Sequence, residues 1–174
     1  GTTVTFMPDD EIFKETTTFN YETLKTRTRE LAFLNKGLRI ILMDDRTGEK
    51  DTFVYEGGIK EFVAYVNKNK TPIHEDIVYV EGMENDISIE VALQYNDGYN
   101  ATVYSFVNNI ITPEGGTHED GVKLALTRII NNYAKANKIL KDNDEPLSGD
   151  DVREGITMII SAKVPEPQFE GQTK

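Results

Sequence analysis

The sequence has 174 residues, of which 30 are Asp or Glu and 19 are Lys or Arg, so its formal net charge is −11. A chain this acidic should not bind nucleic acid or an anionic membrane through its overall field, and any DNA contact would need a local basic surface. Cysteine is absent, which excludes disulfides, thiolate metal sites and cysteine nucleophiles. No apolar run approaches the ~18 residues of a membrane-spanning helix.

The first third of the chain predicts one helix and three strands. Residues 3–6 alternate and are rich in β-branched side chains, which is typical of a strand. Asn20 can cap a helix over residues 21–34. Residues 38–43 and 52–55 flank a polar turn and predict a hairpin.

The rest of the chain predicts a short helix, three strands, a long helix, a second short helix and a final strand. In chain order these elements are expected over residues 59–67, 77–81, 87–95, 102–108, 117–140, 150–154 and 156–164. Thr117 and Ser148 are the expected N-caps of the long helix and the second short helix, residues 82–86 form a turn, and Asp97-Gly98 favours a hairpin. The final strand is almost continuously apolar, as in a buried central strand. Sheets covered by helices in this order predict an α+β fold.

A pair of glycines, Gly57 and Gly58, marks the expected boundary between two domains. The first 57 residues are too few to form a stable core alone, so they should complete a larger domain. The chain also begins at Gly1 instead of Met and stops abruptly at Lys174. We therefore expect a segment of a longer protein.

The sequence contains no recognisable catalytic set. Its only histidines, His74 and His118, cannot form a multi-histidine metal site and show no Ser-His-Asp pattern. We interpret His74 as a surface residue without a role, and His118 as a residue of the first turn of the long helix. Asp150 and Asp151 could be paired catalytic carboxylates. Acids in a first turn also interact favourably with the helix dipole, so a structural role is favoured.

Basic residues on the long helix leave two interpretations open. Lys123, Arg128, Lys135 and Lys138 occupy a broad arc beside the predicted apolar face. This arc is either an ordinary solvated face or a local strip that contacts phosphate despite the acidic composition.

The C-terminal residues also have two interpretations. Gly171 permits a sharp turn, Gln172 offers amide donors, and Lys174 carries a compact positive charge suited to a terminal phosphate. From the residues alone, a frayed C-terminus is the alternative.

Ordered segments along the whole chain resemble the B subunits of bacterial DNA gyrase, a type IIA topoisomerase. The segments are GTTV at 1–4, RELAFLN at 29–35, YEGGI at 55–59, NKNKTPIH at 67–74, SFVNNI at 105–110, EGGTH at 114–118, ALTR at 125–128, DDVREG at 150–155 and PQFEGQTK at 167–174. Topoisomerase IV B subunits look similar through most of these segments. The compact approach VPEPQF at 164–169 looks more like gyrase.

The resemblance implies a specific domain organisation and activity. Residues 1–57 would be the C-terminal part of a GHKL-type ATP-binding domain, and residues 58–174 a transducer domain with the ribosomal protein S5 domain 2-like fold. The parent would be a cytoplasmic, ATP-dependent type II topoisomerase that introduces negative supercoils, with ATP and Mg²⁺ as cofactors. Its partners would be DNA, a second B subunit in a nucleotide-dependent dimer and the gyrase A subunit in an A2B2 assembly, with no membrane.

The resemblance also implies roles for five residues. Lys174 would contact the γ-phosphate and support the transition state, Gln172 would contact the same phosphate, and Thr2 would lie near adenine, largely through water. Lys123 and Arg128 would face the cavity that holds DNA, with Lys123 at a position that is often Arg in the family. No metal ligand is carried over. The family's catalytic glutamate, Mg²⁺-binding asparagine, adenine-binding aspartate and glycine-rich lid have no counterpart in this sequence, so we expect the polypeptide alone neither to hydrolyse ATP nor to bind it tightly.

Two alternatives remain open. One is the topoisomerase IV B subunit, which supercoiling and decatenation assays would separate from gyrase. The other is a non-enzymatic nucleic-acid-binding module that only shares the S5-like fold, because a fold alone does not fix a function.

Overall fold

The computed structural model describes residues 1–141 and 143–169 and divides the chain into two compact units. The first unit comprises Gly1–Glu56, and the second begins at Gly57. Among the described residues, no helix is both long and apolar enough to cross a membrane.

The first unit contains one helix and one hairpin. Its elements are α1 (Tyr21–Leu34), β1 (Ile40–Asp44) and β2 (Glu49–Phe53), with the two strands antiparallel. Asn20 caps α1 as predicted, because its side chain accepts a hydrogen bond from the backbone N–H of Thr23 at 2.9 Å. The hairpin is confirmed with its second strand shifted towards the N-terminus.

The end of α1 forms the core of this unit. Ala32, Phe33 and Leu34 are buried, and the Phe33 ring stacks on Tyr55 with 3.7 Å between ring centroids. Tyr21 at the other end of α1 donates its hydroxyl to Asp51 at 3.0 Å. These contacts fix the helix against the hairpin at both of its ends.

The predicted strand over residues 3–6 is wrong. These residues are irregular, and the side chains of Val4 and Phe6 are 76% and 67% exposed. A β-branched sequence forms a strand only when a neighbouring strand takes up its backbone hydrogen bonds. No strand in the described part of the chain pairs with this segment.

The second unit is a five-stranded sheet with helices on both faces. Its elements are α2 (Ile59–Val66), β3 (Val78–Glu84), β4 (Ile87–Tyr95), β5 (Thr102–Val107), β6 (Ile110–Ile111), α3 (Thr117–Ala136), α4 (Gly149–Arg153) and β7 (Ile156–Lys163). The strand order is β3-β4-β7-β5-β6, in which β7 is antiparallel to β4 and parallel to β5.

The central position of β7 confirms the prediction from its apolar run. Successive side chains of a strand point to opposite faces, so β7 supplies both cores of the unit. Met158 and Ile160 pack with Leu93, and with Val122 and Leu126 of α3, on one face. On the opposite face, the ring of Phe62 of α2 lies 6.1 Å, centroid to centroid, from both Tyr104 and Phe106.

The predicted hairpin at Asp97-Gly98 is wrong. β4 and β5 are not neighbours, because β7 lies between them and pairs with both. The chain does turn at these residues, but the most apolar strand buries more surface at the centre of the sheet than at its edge.

Three smaller expectations also need correction, and one short strand was missed. β3 extends to Glu84, so the predicted turn at 82–86 is confined to Asn85 and Asp86, which adopt positive φ values of 50° and 63°. Gly116 is the N-cap of α3 instead of Thr117, and α3 ends at Ala136. The two-residue strand β6 was not predicted, because Ile110–Ile111 is too short to show a period.

Two equally buried serines in this sheet should respond oppositely to truncation. Ser161 and Ser105 are each 2% exposed. The Ser161 hydroxyl has no hydrogen-bond partner among the described residues, whereas the Ser105 hydroxyl contacts Glu119 and Thr112. We expect Ser161→Ala to keep the free energy of unfolding or raise it by up to about 1 kcal/mol, and Ser105→Ala to lower it by roughly 1–3 kcal/mol. Urea unfolding measures both variants. A greater loss in the free energy of unfolding for Ser161→Ala than for Ser105→Ala would contradict the assignment of Ser161 as the serine without a partner.

Candidate functional site

A cleft of about 1270 Å³ lies at one end of the sheet in the second unit. Its walls are the β3–β4 hairpin, the loop that leads into α3, and residues 164–169. Gly115 in the loop has a φ of 78°, which favours glycine, and it brings the chain round to the start of α3. The last described residues, Gln168 and Phe169, line this cleft.

Five polar side chains form a connected network at the start of α3. The Glu119 carboxylate accepts a hydrogen bond from Ser105 Oγ at 2.5 Å and forms an ion pair with Lys123 Nζ, also at 2.5 Å. Ser105 Oγ lies 2.7 Å from Thr112 Oγ1, which in turn lies 3.1 Å from His118 Nε2. The network joins α3 to β5 and to the loop that follows β6.

The charges of this network are fixed by burial and by hydrogen bonds. Burial alone would raise the pKa of Glu119, but hydrogen bonds from Lys123 and Ser105 bring the pKa below its ordinary value. Burial lowers the pKa of His118, against the opposite influence of the Glu119 and Asp120 carboxylates. The network therefore favours an ionised Glu119 beside a neutral His118, an arrangement that positions α3 and presents no activated nucleophile.

The two candidate DNA-cavity residues lie on different sides of α3. Lys123 is half-buried against the network, with its side chain 28% exposed and its ammonium paired to Glu119. Arg128 is exposed and, five positions later in the chain, lies about 140° further round the helix. The four basic residues named in the sequence analysis therefore do not share one environment. Arg128, Lys135 and Lys138 are exposed, and Lys123 belongs to the inner network.

The structure describes only one of the three candidate nucleotide-contact residues. Thr2 is exposed in the first unit and forms no hydrogen bond with the described residues. Gln172 and Lys174 lie outside the described residues. No group of three or more His, Asp or Glu side chains that could hold a metal occurs within residues 1–141 and 143–169.

The acidic pair on α4 is structural, as favoured from the sequence. Asp151 and Ser148 form a reciprocal capping box, in which Ser148 accepts from the backbone N–H of Asp151 at 3.1 Å. Asp150 pairs with Arg153 at 2.8 Å. Both carboxylates therefore stabilise the helix start.

The interpretation of His74 as a residue without a role is wrong. Its Nε2 accepts a hydrogen bond from the backbone N–H of Tyr95 at 2.9 Å, so Nδ1 carries the proton and donates to the Asp76 carbonyl at 2.7 Å. The imidazole thus fastens the segment before β3 to the end of β4. Both partners are backbone groups, so the sequence carries no signal for this contact.

The comparisons with known proteins decide the family. The family model described as DNA gyrase B matches residues 58–174, which is the whole second unit except its first residue. The chain belongs to the DNA gyrase B family. The gyrase B protein of Bacillus mycoides is 58% identical over 175 residues, covering 100% of this chain and 43% of that protein. The gyrase B protein of Enterococcus faecalis is 55% identical over 176 residues, covering 100% of this chain and 27% of that protein.

Solved structures agree with the assignment to the gyrase B family. The 43K ATPase domain of Thermus thermophilus gyrase B, in complex with an aminocoumarin, superposes with a TM-score of 0.82 at 34% identity, covering 94% of this chain and 44% of that one. The gyrase B protein of Myxococcus xanthus gives 0.80 at 26% identity, covering 96% and 46%. The topoisomerase IV ATP binding domain of Francisella tularensis, bound to a small-molecule inhibitor, gives 0.74 at 25%, covering 92% and 42%.

The family match supports the gyrase interpretation over the topoisomerase IV alternative, since the matching family model and the curated relatives described above are gyrase B proteins. The α+β fold with gyrase B ATPase-region architecture is also confirmed. The chain spans 27% to 43% of the length of those two relatives.

Proposed function

We propose that this chain is part of the ATPase and gate region of an ATP-dependent type II topoisomerase that negatively supercoils DNA. The observation that carries the proposal is the alignment of the entire chain with gyrase B proteins at 55–58% identity. In this proposal residues 1–57 complete a GHKL-type ATP-binding domain, and residues 58–174 form the S5-like transducer. The apolar side chains of Val4, Phe6 and Met7 are exposed, which supports the proposal because the remainder of such a domain would cover them.

The proposed task of the second unit is to couple the nucleotide state to movement of the gate. Lys174 and Gln172 contact the γ-phosphate, and Thr2 lies near adenine. Hydrolysis removes the phosphate that the Lys174 ammonium binds, so the geometry between the domains relaxes. ATP, with Mg²⁺, is bound mainly by residues outside this chain, so the chain alone should neither hydrolyse ATP nor bind it tightly.

The proposed partners are DNA, a second gyrase B chain and the gyrase A protein, in the cytoplasm. Arg128 is the better of the two DNA-cavity candidates, because it is exposed and unpaired among the described residues. Lys123 would have to leave Glu119 before it could contact a phosphate. An RNA-binding module with the same fold is disfavoured by the net charge of −11, and salt-sensitive RNA binding by the chain would support that rival.

Replacing the terminal lysine tests the proposed sensor. In a gyrase B protein that includes its complete ATP-binding region, we expect Lys174→Ala to lower ATP turnover at least ~10-fold, because a charge-assisted contact to the transferred phosphate is lost. Lys163→Ala is the matched control, since it removes the same charge from an exposed site at the end of β7.

Steady-state ATP hydrolysis and nucleotide-dependent dimerisation measure the effect. Unchanged values for Lys174→Ala would refute the sensor role. Turnover by the 174-residue chain above that of its own Lys174→Ala variant would refute the expectation that the chain alone is inactive.

A further inference from the structure

A lysine near the start of β7 is held by hydroxyl groups instead of a carboxylate. Lys70 Nζ donates to Thr102 Oγ1 at 3.0 Å and to Thr157 Oγ1 at 3.2 Å. Thr157 is fully buried and gives its own proton to Asn67 at 2.6 Å, so it can only accept from Lys70. Within residues 1–141 and 143–169, no carboxylate oxygen lies within 4.0 Å of this ammonium.

This lysine lines a cavity of about 340 Å³ in the second unit. The volume falls within the range of small-ligand sites. Neutral polar side chains make up most of the lining, among them the amides of Asn96 and Asn100 and the hydroxyl of Thr102. Tyr99 also lines the cavity, with its side chain 83% exposed. One acid, Asp97, lines it without an ion pair to Lys70.

The charge of Lys70 is therefore oriented but not neutralised. An ammonium group has three N–H donors, and the two threonines take two of them. A half-buried charge without a counter-ion is unfavourable, and an anion that entered the cavity would relieve this cost. None of the residues carried over from the gyrase B family for nucleotide or DNA contact lines this cavity.

We propose that Lys70 and this cavity bind a phosphate group, and that the phosphate belongs to a nucleic-acid backbone. The lysine supplies the charge, and the neighbouring amides supply additional donors. The exposed ring of Tyr99 lies where an adjacent sugar or base would pack, since exposed aromatic side chains beside a basic group are typical of strand-binding surfaces. The nucleic-acid source rests on the proposed function, whereas the phosphate site itself does not.

A titration of the 174-residue chain with inorganic phosphate at constant ionic strength tests the site. We expect saturable NMR shifts of the amide signals of Lys70, Gly98 and Tyr99. Lys70→Gln should weaken the binding at least ~10-fold, because the single positive charge is lost. Lys68→Gln is the matched control: Lys68 is exposed, lies two residues away and contacts the Tyr65 ring at 4.7 Å. It should leave the titration unchanged.

A second variant separates binding from folding. Asn100 is exposed, so Asn100→Asp should keep the thermal midpoint while the new carboxylate repels phosphate. Loss of the saturable shifts in this variant supports the site even if Lys70→Gln does not fold. No saturable shift in the parent chain, or equal weakening by Lys68→Gln, would overturn the proposal.

The source of the phosphate is decided by repeating the titration with a short DNA duplex and with single-stranded DNA. Saturable shifts of the same signals at lower concentration than phosphate, weakened by salt, support the nucleic-acid backbone. Shifts with inorganic phosphate alone keep the phosphate site and overturn its nucleic-acid assignment. Neither titration depends on ATP turnover, so failure of this proposal is distinct from failure of the proposed function.

Discussion

Gly155→Ala should destabilise the second unit by roughly 3–5 kcal/mol. Gly155 has a φ of 69°, and a Cβ added there would lie 2.5 Å from the Asn96 carbonyl oxygen and 2.7 Å from that of Gly98. Both atoms belong to backbone, so no side-chain rotation can relieve the overlap. Gly155 also accepts a hydrogen bond from the backbone N–H of Asn96 at 2.8 Å, which draws the two segments together.

Gly115→Ala is the control for Gly155→Ala. Gly115 has a similar φ of 78°, but its added Cβ would meet only the Glu119 side chain at 3.4 Å. It should therefore cost about 1–2 kcal/mol, which is the penalty for the left-handed conformation alone. Urea unfolding followed by a probe in the second unit gives both values. Equal losses would show that the close approach at Gly155 contributes nothing.

Thr157→Val should lower the free energy of unfolding by about 2–4 kcal/mol, although valine matches threonine in shape. The Thr157 hydroxyl donates to Asn67 at 2.6 Å and accepts from Lys70 at 3.2 Å. It also accepts from Asn96 at 3.4 Å. Asn67 and Asn96 are 4% and 6% exposed, so water cannot readily replace the lost partner. Removal of the hydroxyl leaves several buried polar groups unsatisfied at once.

Thr102→Val separates this effect from the loss of one hydrogen bond to Lys70. Thr102 is half-buried, and its hydroxyl accepts from Lys70 at 3.0 Å. We expect a loss of about 1 kcal/mol or less, because water can reach Lys70 in its place. Thermal or urea unfolding measures the pair. A loss for Thr157→Val no greater than that for Thr102→Val would contradict the buried network.

Local signals predicted the elements whose determinants lie within a few residues of each other. Asn20 caps α1 through a contact three residues away, and Ser148 caps α4 in the same way. The central place of β7 follows from its own apolar run. The predicted hairpin at Asp97-Gly98 is wrong because its turn residues carry no information about β7, which begins only at Ile156.

The contacts of the candidate site also divide into those that a local sequence rule predicts and those that it cannot predict. The ion pair of Lys123 with Glu119 has the i, i+4 spacing of helix neighbours and could have been read from the sequence. The partners of Lys70 lie 32 and 87 residues away, so no spacing rule could find them. The nucleotide and DNA roles came from the resemblance to gyrase B. The residue pattern alone left a solvated face of the long helix and a frayed C-terminus as open alternatives.

The position of β7 has a consequence for how the second unit is made. The strand at the middle of the sheet is the last one in the described chain, and it joins β4 to β5. During synthesis, all the other strands of the sheet therefore leave the ribosome before β7. Until β7 is made, β3–β4 and β5–β6 are separate hairpins whose edges are unpaired. Such late, long-range pairing slows folding and exposes edges to association with other chains. Truncation before Ile156 should yield aggregation-prone fragments instead of a smaller domain.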